Sequence, residues 1–450
     1  MKITIQGHKI YVDRNSKNEY PRIGITIAVL LLYMAPFVSR WLALVSFAVC
    51  LCRVFRYNAR VFATDYCFLL PLASLTRAPG MPMLLIYLCL IAGIWHVLRS
   101  GLRANTSLVF LIILMNYLLT RMQMDINNFV LCFGQMFVLC VLLPKQDEAS
   151  VERSVKTFLT SLIISSVYAL LLRNTYQLQA LIGAESYAIW GTGIMRFRGL
   201  FEDPNYYMTL LIIGLALLIK LRECGMVNKS RFLLQGVALS VFGVLTYSKT
   251  FFLVFVLLGG TYVVWQFWSR KLISGLGMTV IAVIALCVMI FWEKSPFAVV
   301  LQRLLVSNNI SDLTTGRTEV YLSYWKEITE NLQSFFFGKG LAAEGLRKDP
   351  HNIYLETMYY TGAVGLSLIA GIYCSLVREM KQQAPRVREQ HFIERNVVLF
   401  MFLLLFFSLH GIFQIVVYGE LFLAMLSLMI IKKPEEAVLP SYAGVEEMAE

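Results

Sequence analysis

Residues 196–220 read R-F-R-G-L-F-E-D-P-N-Y-Y-M-T-L-L-I-I-G-L-A-L-L-I-K, and the switch inside that stretch decides the fold. Its first half carries Arg196, Arg198, Glu202 and Asp203 with a glycine and a proline; the rest carries one charge, Lys220, at its far end. A helix needs roughly 17–25 mostly apolar residues to cross a hydrocarbon core about 30 Å thick, and somewhat shorter runs pass when snorkelling residues flank them. Working outward, the same alternation of apolar run and charged connector fills the chain. Candidate spans lie near 22–38, 41–53, 61–76, 81–98, 106–121, 129–143, 156–172, 206–220, 232–247, 250–268, 274–292, 356–376, 397–413 and 414–430.

Composition agrees. Of 450 residues, 58% are hydrophobic and 15% charged, with a mean hydropathy of +0.65, far from the range of soluble globular proteins. The expectation is an all-α, polytopic transmembrane helical bundle of about 12–14 spans. The polar, basic opening has no small-residue cleavage site behind the first apolar stretch, so that stretch reads as a retained span. The nine cysteines sit in apolar segments or, for Cys224, in a basic loop, which argues against a disulfide framework and against zinc. A net charge of +12 is spread between spans, so it reads as topology signal and lipid-headgroup contact rather than nucleic-acid binding.

Cations collect on the cytoplasmic side of membrane proteins. Arg53, Arg56 and Arg60 fall on one side with Arg99, Arg103, Lys145, Arg153, Lys156, Lys220, Arg222, Lys229, Arg231, Arg270, Lys271, the 378–395 cluster, Lys432 and Lys433. Both termini are then cytoplasmic. The opposite, exoplasmic side has tight turns at Arg40, Arg77 and Arg121 and two long loops, 173–205 and 293–355. The chain divides into N-terminal spans (1–172), a region holding both loops (173–376), and C-terminal spans with a tail (377–450), all within one membrane domain. Arg173, Arg196, Arg198, Arg303, Arg317, Lys326, Lys339, Arg347 and Lys348 stand in those loops against the topological bias, which points to an anionic ligand.

Gly199 and Pro204 mark irregular backbone above a span that Asp203 or Asn205 is placed to cap, and a helix N-terminus beside two arginines suits phosphate. The plainer alternative is that Arg196 and Arg198 touch lipid phosphates. L-T-Y-S-K-T sets Lys249 where the chain re-enters the bilayer, either snorkelling or aimed at a diphosphate. Residues 315–332 read as a helix with Val320, Tyr321, Tyr324, Trp325, Ile328 and Leu332 on one side, suited to the membrane surface. Arg317 falls in its first turn, unfavourable for a cation unless an anion approaches. F-G-K-G then makes a turn, and D-P-H-N-I-Y-L-E leads into the next span. Of five histidines, only His351 and His410 fall near the outer face, and His410 reads as a packed span residue. Histidine suits proton transfer near neutral pH. No His/Cys/Asp cluster has metal-ligand spacing and no D-x-D occurs.

These segments together resemble the O-antigen ligase and Wzy-type polysaccharide polymerase superfamily. Its first element, arginine with glycine three residues on, an aromatic at five and Pro-Asn at eight and nine, fits Arg196, Gly199, Phe201, Pro204 and Asn205. The second, Ser-Arg at an outer turn after Leu-Thr, matches L-T-Y-S-K, with Lys249 in place of the usual arginine. The third is Gly316-Arg317 with Trp325 about two turns later; the fourth is His351, Asn352, Tyr354 and Leu355 with Gly362 and Gly365 behind them. The matched region runs from about 196 to 376. The lysine keeps the charge but loses the two-pronged fork of arginine.

The resemblance implies a metal-independent, inverting glycosyltransferase of the bacterial inner membrane. Its donor would be an undecaprenyl-diphosphate-linked glycan. The leaving group is already good, so no cofactor is required, and the site must stabilise the departing diphosphate and position an acceptor hydroxyl. Arg196, Arg198, Lys249 and Arg317 take the first task. His351 takes the second, as base or orienter, with Asn205, Asn352 and Tyr354 positioning. The acceptor is a second lipid-linked repeat for a polymerase making capsule or exopolysaccharide, the reading favoured here, or a lipid A core for a ligase. A chain-length regulator and a flippase are expected partners. A lipid-linked oligosaccharide flippase is the alternative of another class, but it would line a central cavity with charge, whereas the cations here lie in outer loops. An enzyme using polyprenyl monophosphate sugars would show acidic pairs in an early outer loop; Glu202-Asp203 comes late.

Overall fold

The computed structural model describes residues 2–5, 8–11, 22–79, 83–100, 105–121, 126–182, 195–255, 298–299, 317–340, 350–383 and 415–430. Apart from an antiparallel hairpin of Lys2–Ile5 with His8–Tyr11, every regular element there is helical. The helices are α1 (Arg22–Met34), α2 (Leu42–Arg56), α3 (Ala59–Leu69), α4 (Leu84–Ser100), α5 (Thr106–Arg121), α6 (Ile126–Leu142), α7 (Glu148–Leu172), α8 (Tyr176–Ile182), α9 (Pro204–Glu223), α10 (Lys229–Leu245), α11 (Arg317–Ile328), α12 (Leu332–Phe337), α13 (Ile353–Gln383) and α14 (Ile415–Leu426).

Their starts are written into the connectors. Asn58, Asn228 and Asn331 each accept from a backbone amide three residues on, and Asp147 forms a reciprocal capping box with Ser150. After α3 the chain tightens into a 3-10 stretch, Leu70–Thr76, with Pro71 in its first turn, where a missing amide costs no bond. Residues 61–76, a single span by hydropathy, are thus a shorter α-helix followed by a 3-10 segment.

Three of these helices are long and apolar enough to cross a membrane, Glu148–Leu172, Pro204–Glu223 and Ile353–Met380, with shorter apolar helices around them. α9 is apolar all round and accordingly buried, packed against α7, α10 and α14. Outward faces are apolar too. Ile23, Leu30, Ile112, Leu171, Leu234 and Val237 are all more than half exposed, a surface suited to membrane association rather than to water. Inside, Arg53 makes a two-pronged bond to Asp65 (Nε–Oδ2 2.8 Å, NH2–Oδ1 3.0 Å), so neither buried charge stands alone.

Polar contacts gather the connectors into two groups. In one, Arg60 pairs with Asp147 (2.7 Å), Lys145 reaches the His96 carbonyl (3.2 Å), Arg99 the Tyr57 carbonyl (3.4 Å), and Glu379 accepts from both the amide and hydroxyl of Ser107 at the start of α5. In the other, Arg77 meets Glu202 and the Leu181 carbonyl, and Arg196 meets the Thr246 carbonyl.

α13 is broken. Gly362 adopts φ 65°, ψ −169°, and the F-G-K-G turn packs against the break, backbone to backbone. Lys339 N donates to the Tyr359 carbonyl (2.8 Å) and Gly340 N to the Tyr360 carbonyl (3.1 Å); the Tyr117 hydroxyl lies 3.0 Å from the carbonyls of Phe337 and Thr361. Carbonyls freed by the break are thereby satisfied, the condition for irregular backbone beside a membrane. A Cβ on Gly362 would lie 2.4 Å from the Phe336 carbonyl, and one on Gly338 2.3 Å from the Tyr360 oxygen. Gly340 also has positive φ (83°) but meets nothing within 4 Å.

Gly340→Ala should therefore cost only the left-handed penalty, about 1–2 kcal/mol, whereas Gly362→Ala adds a backbone clash. In thermal unfolding of the purified protein, the Gly362→Ala midpoint is expected well below that of Gly340→Ala; equal midpoints would contradict the packing.

Candidate functional site

The site is built around the N-terminus of α9. Asp203 (φ −119°, ψ 132°) accepts from the Asn205 amide (2.6 Å), and Pro204 opens the helix with φ already set. Asp203 is the capping residue, which leaves the Asn205 side chain for other work. Gly199, at φ 57°, lies on the Tyr207 ring; a Cβ there would sit 2.6 Å from it. Phe197 meets that ring edge-on at 5.4 Å, Phe201 stacks on it at 6.0 Å, and the Tyr207 hydroxyl bonds Ser166 Oγ (2.6 Å). The loop from Arg196 to Asp203 is thus folded over one buried aromatic ring, and both arginines in it are held in place.

Arg196 joins the first two sequence elements. Its Nε donates to the Thr246 carbonyl (2.8 Å) and its NH2 to Asn205 Oδ1 (3.0 Å), while Ser248 Oγ lies 3.5 Å from the same Asn205 oxygen. Phe197 N adds a bond to the Leu245 carbonyl (2.9 Å). The L-T-Y-S-K turn is sharp. Gly243 lies under the Phe251 ring, where no Cβ fits, Tyr247 takes φ 50°, and Ser248 faces the Phe251 amide (3.4 Å). A helix opens directly at Lys249, which is half-buried in its first turn. Arg198, half-buried, donates to the Glu202 carbonyl (3.1 Å). One turn below Asn205, the Thr209 hydroxyl meets the buried Glu420 of α14.

The third and fourth elements form a second assembly. α11 rests on α13 through Tyr324, Ile328, Met358 and Tyr359, with the Tyr324 and Tyr359 rings 4.9 Å apart. Arg317 is the first residue of α11 and is half-buried. The stripe expected to lie on a membrane surface is split: Tyr324 and Ile328 are buried against α13, while Trp325 and Leu332 are exposed with Leu322, Phe336 and Phe337. Lys339, one of the loop cations, pairs with Glu327 (3.1 Å) and Glu330, which hold its ammonium pKa above the ordinary lysine value.

His351 is half-buried just before α13, at φ 46°. Asn352 Oδ1 accepts from the amides of Tyr354 (3.0 Å) and Leu355 (3.1 Å), so this oxygen caps α13. Tyr354 is 37% exposed. Among the described residues the non-glycine residues at positive φ are Tyr247 and His351, one in each assembly, in a conformation that is sterically costly and tends to gather at functional sites. Gly316, Arg303, Arg347, Lys348 and His410 lie outside the described residues.

The sequence reading passed over several partners. Tyr207 reads there as one more apolar residue, and the pairs Arg77–Glu202 and Thr209–Glu420 span too many positions for local pattern to join them. Among the described residues no group of three or more His, Cys, Asp or Glu side chains is placed to hold a metal ion. No family model, no curated protein and no solved structure matches the chain.

Proposed function

We propose that this chain is a polytopic membrane glycosyltransferase that moves a glycan from undecaprenyl diphosphate to an acceptor hydroxyl at the outer face of the bacterial inner membrane. The acceptor taken here is a second lipid-linked repeat, which makes the reaction a polysaccharide polymerisation. The observation that carries the reading is the knot at Asn205, where Arg196 and the turn before Lys249 meet at the start of a long apolar helix. Arg196 is held there at a helix N-terminus, a place that favours an anion, and Lys249 opens the helix after the neighbouring turn.

The chemistry needs few groups. The acceptor oxygen attacks the anomeric carbon, the bond from that carbon to the diphosphate oxygen breaks, and the diphosphate leaves with the bonding pair, inverting the centre. Arg196, Arg198, Lys249 and Arg317 neutralise the departing charge, which requires α11 to come over the start of α9. His351 takes the acceptor proton, and its strained backbone holds the imidazole at the head of α13.

In this reading both loops face the exoplasm and both termini the cytoplasm. Ser323 and Ser230 are exposed, in α11 and α10. Single cysteines at these two positions, in a cysteine-free background, are expected to react from opposite sides with an impermeant thiol reagent. Equal labelling in intact cells would contradict the topology.

Replacing Arg196 or Arg317 by alanine is expected to lower glycan transfer by about a hundredfold to a thousandfold, as for loss of a preorganised group acting on developing charge. His351→Ala should lose about a hundredfold to ten-thousandfold, with donor binding nearly intact, while Lys249→Arg stays active. The assay is glycan produced by cells at matched protein level. Normal product from His351→Ala would remove it as the base, and normal product from both arginine variants would end the diphosphate assignment.

A further inference from the structure

Glu202 is the one carboxylate inside the arginine loop whose side chain is not used for capping, and two arginines divide it between them. Arg198 takes its backbone carbonyl at 3.1 Å. Arg77, which follows the 3-10 segment and comes from 125 positions away, takes its carboxylate, and Arg77 NH1 also reaches the Leu181 carbonyl (3.4 Å). The arrangement matters because Arg198 and Glu202 are four residues apart in a tight loop: Phe201 N already bonds the Arg198 carbonyl at 3.0 Å. A carboxylate released at Glu202 would be within a side chain's swing of the Arg198 guanidinium. It would then compete, at the effective concentration of an intramolecular group, with any anionic ligand approaching from outside.

We infer that Arg77 is a positioning residue of the proposed diphosphate site: it draws the Glu202 carboxylate away from Arg198, so that this carboxylate does not compete with the ligand for that guanidinium. This rests on the diphosphate reading above and deepens it. The pair contributes little to stability, because the Glu202 side chain is 50% exposed and such ion pairs are screened. Its effect is on which partner each charge takes. The same logic makes Glu202 an inhibitor held in check, so removing it should compensate for removing Arg77.

The test uses the full chain purified in a maltoside detergent, which carries no phosphate, with inorganic pyrophosphate as the probe in titration calorimetry. Arg77→Ala is expected to weaken pyrophosphate binding about tenfold or more, the scale of a charge-assisted hydrogen bond, with an unfolding midpoint close to that of the wild type. Arg77→Ala combined with Glu202→Gln is expected to return to within about threefold of wild type, and Glu202→Gln alone to bind at least as well. A latch that merely holds the loop, or an Arg77 that touches the ligand itself, would give no such rescue. Absence of rescue, or wild-type affinity in Arg77→Ala, overturns the inference while leaving the diphosphate reading in place. A wild-type protein that binds no pyrophosphate overturns both. Should Arg77→Ala fail to fold, Arg77→Gln carries the same comparison.

Discussion

The Arg196 guanidinium donates in two directions, to the Thr246 carbonyl and to Asn205 Oδ1, and the arrangement of the site follows from that fork. One prong fixes the loop before α9 to the turn after α10; the other fixes it to the first turn of α9 itself. Planarity is what lets one side chain do both, since a guanidinium presents its donors in a rigid fan whereas an ammonium is a single point. With the fork in place, Arg198 follows two residues along the loop and Lys249 three residues past Thr246. Gly199 permits the loop to close because only a residue without a Cβ fits over the Tyr207 ring at φ 57°.

The second assembly is held differently. α11 has few buried residues of its own and depends on aromatic packing against α13, while the turn after α12 is bonded backbone to backbone at the Gly362 break. A helix interrupted there can present its first turns, His351 and Asn352 at their head, at an angle independent of the long apolar segment behind. Asn352 secures that short segment by capping it, directly after the left-handed backbone of His351. In the proposed reaction the first assembly supplies Arg196, Arg198 and Lys249 to the leaving group, and the second supplies Arg317 to the same group and His351 to the acceptor.

Much of this was legible because it is local. The apolar run after Asn205, a cap at Asp203 or Asn205, the glycine of the R-F-R-G turn and the start of α11 at Arg317 all follow from residue type and spacing within a few positions. The helix cap at Asn352 was not legible, because one sequence offers an asparagine beside a histidine without saying which way its oxygen turns. Pro71 was visible, yet its effect, a 3-10 segment in place of a continued α-helix, depends on what packs beside it. Arg77–Glu202 and Thr209–Glu420 were not legible at all. Each joins residues 125 or 211 positions apart, and an apolar bundle gives a polar pair no periodic signature. The amphipathic stripe of α11 was read correctly as apolar but wrongly as one face, because a helix can bury half a stripe against a neighbour and leave the rest outside.

The most direct measurement is transfer itself, with the purified chain in proteoliposomes supplied with a chemically defined undecaprenyl-diphosphate-linked repeat and nothing else. The account predicts oligomers of the repeat together with release of undecaprenyl diphosphate in equal molar amount to the bonds formed, read by mass spectrometry. Intact donor after prolonged incubation of active-folded protein, across donors of differing repeat structure and with a lipid A core acceptor added, would contradict it.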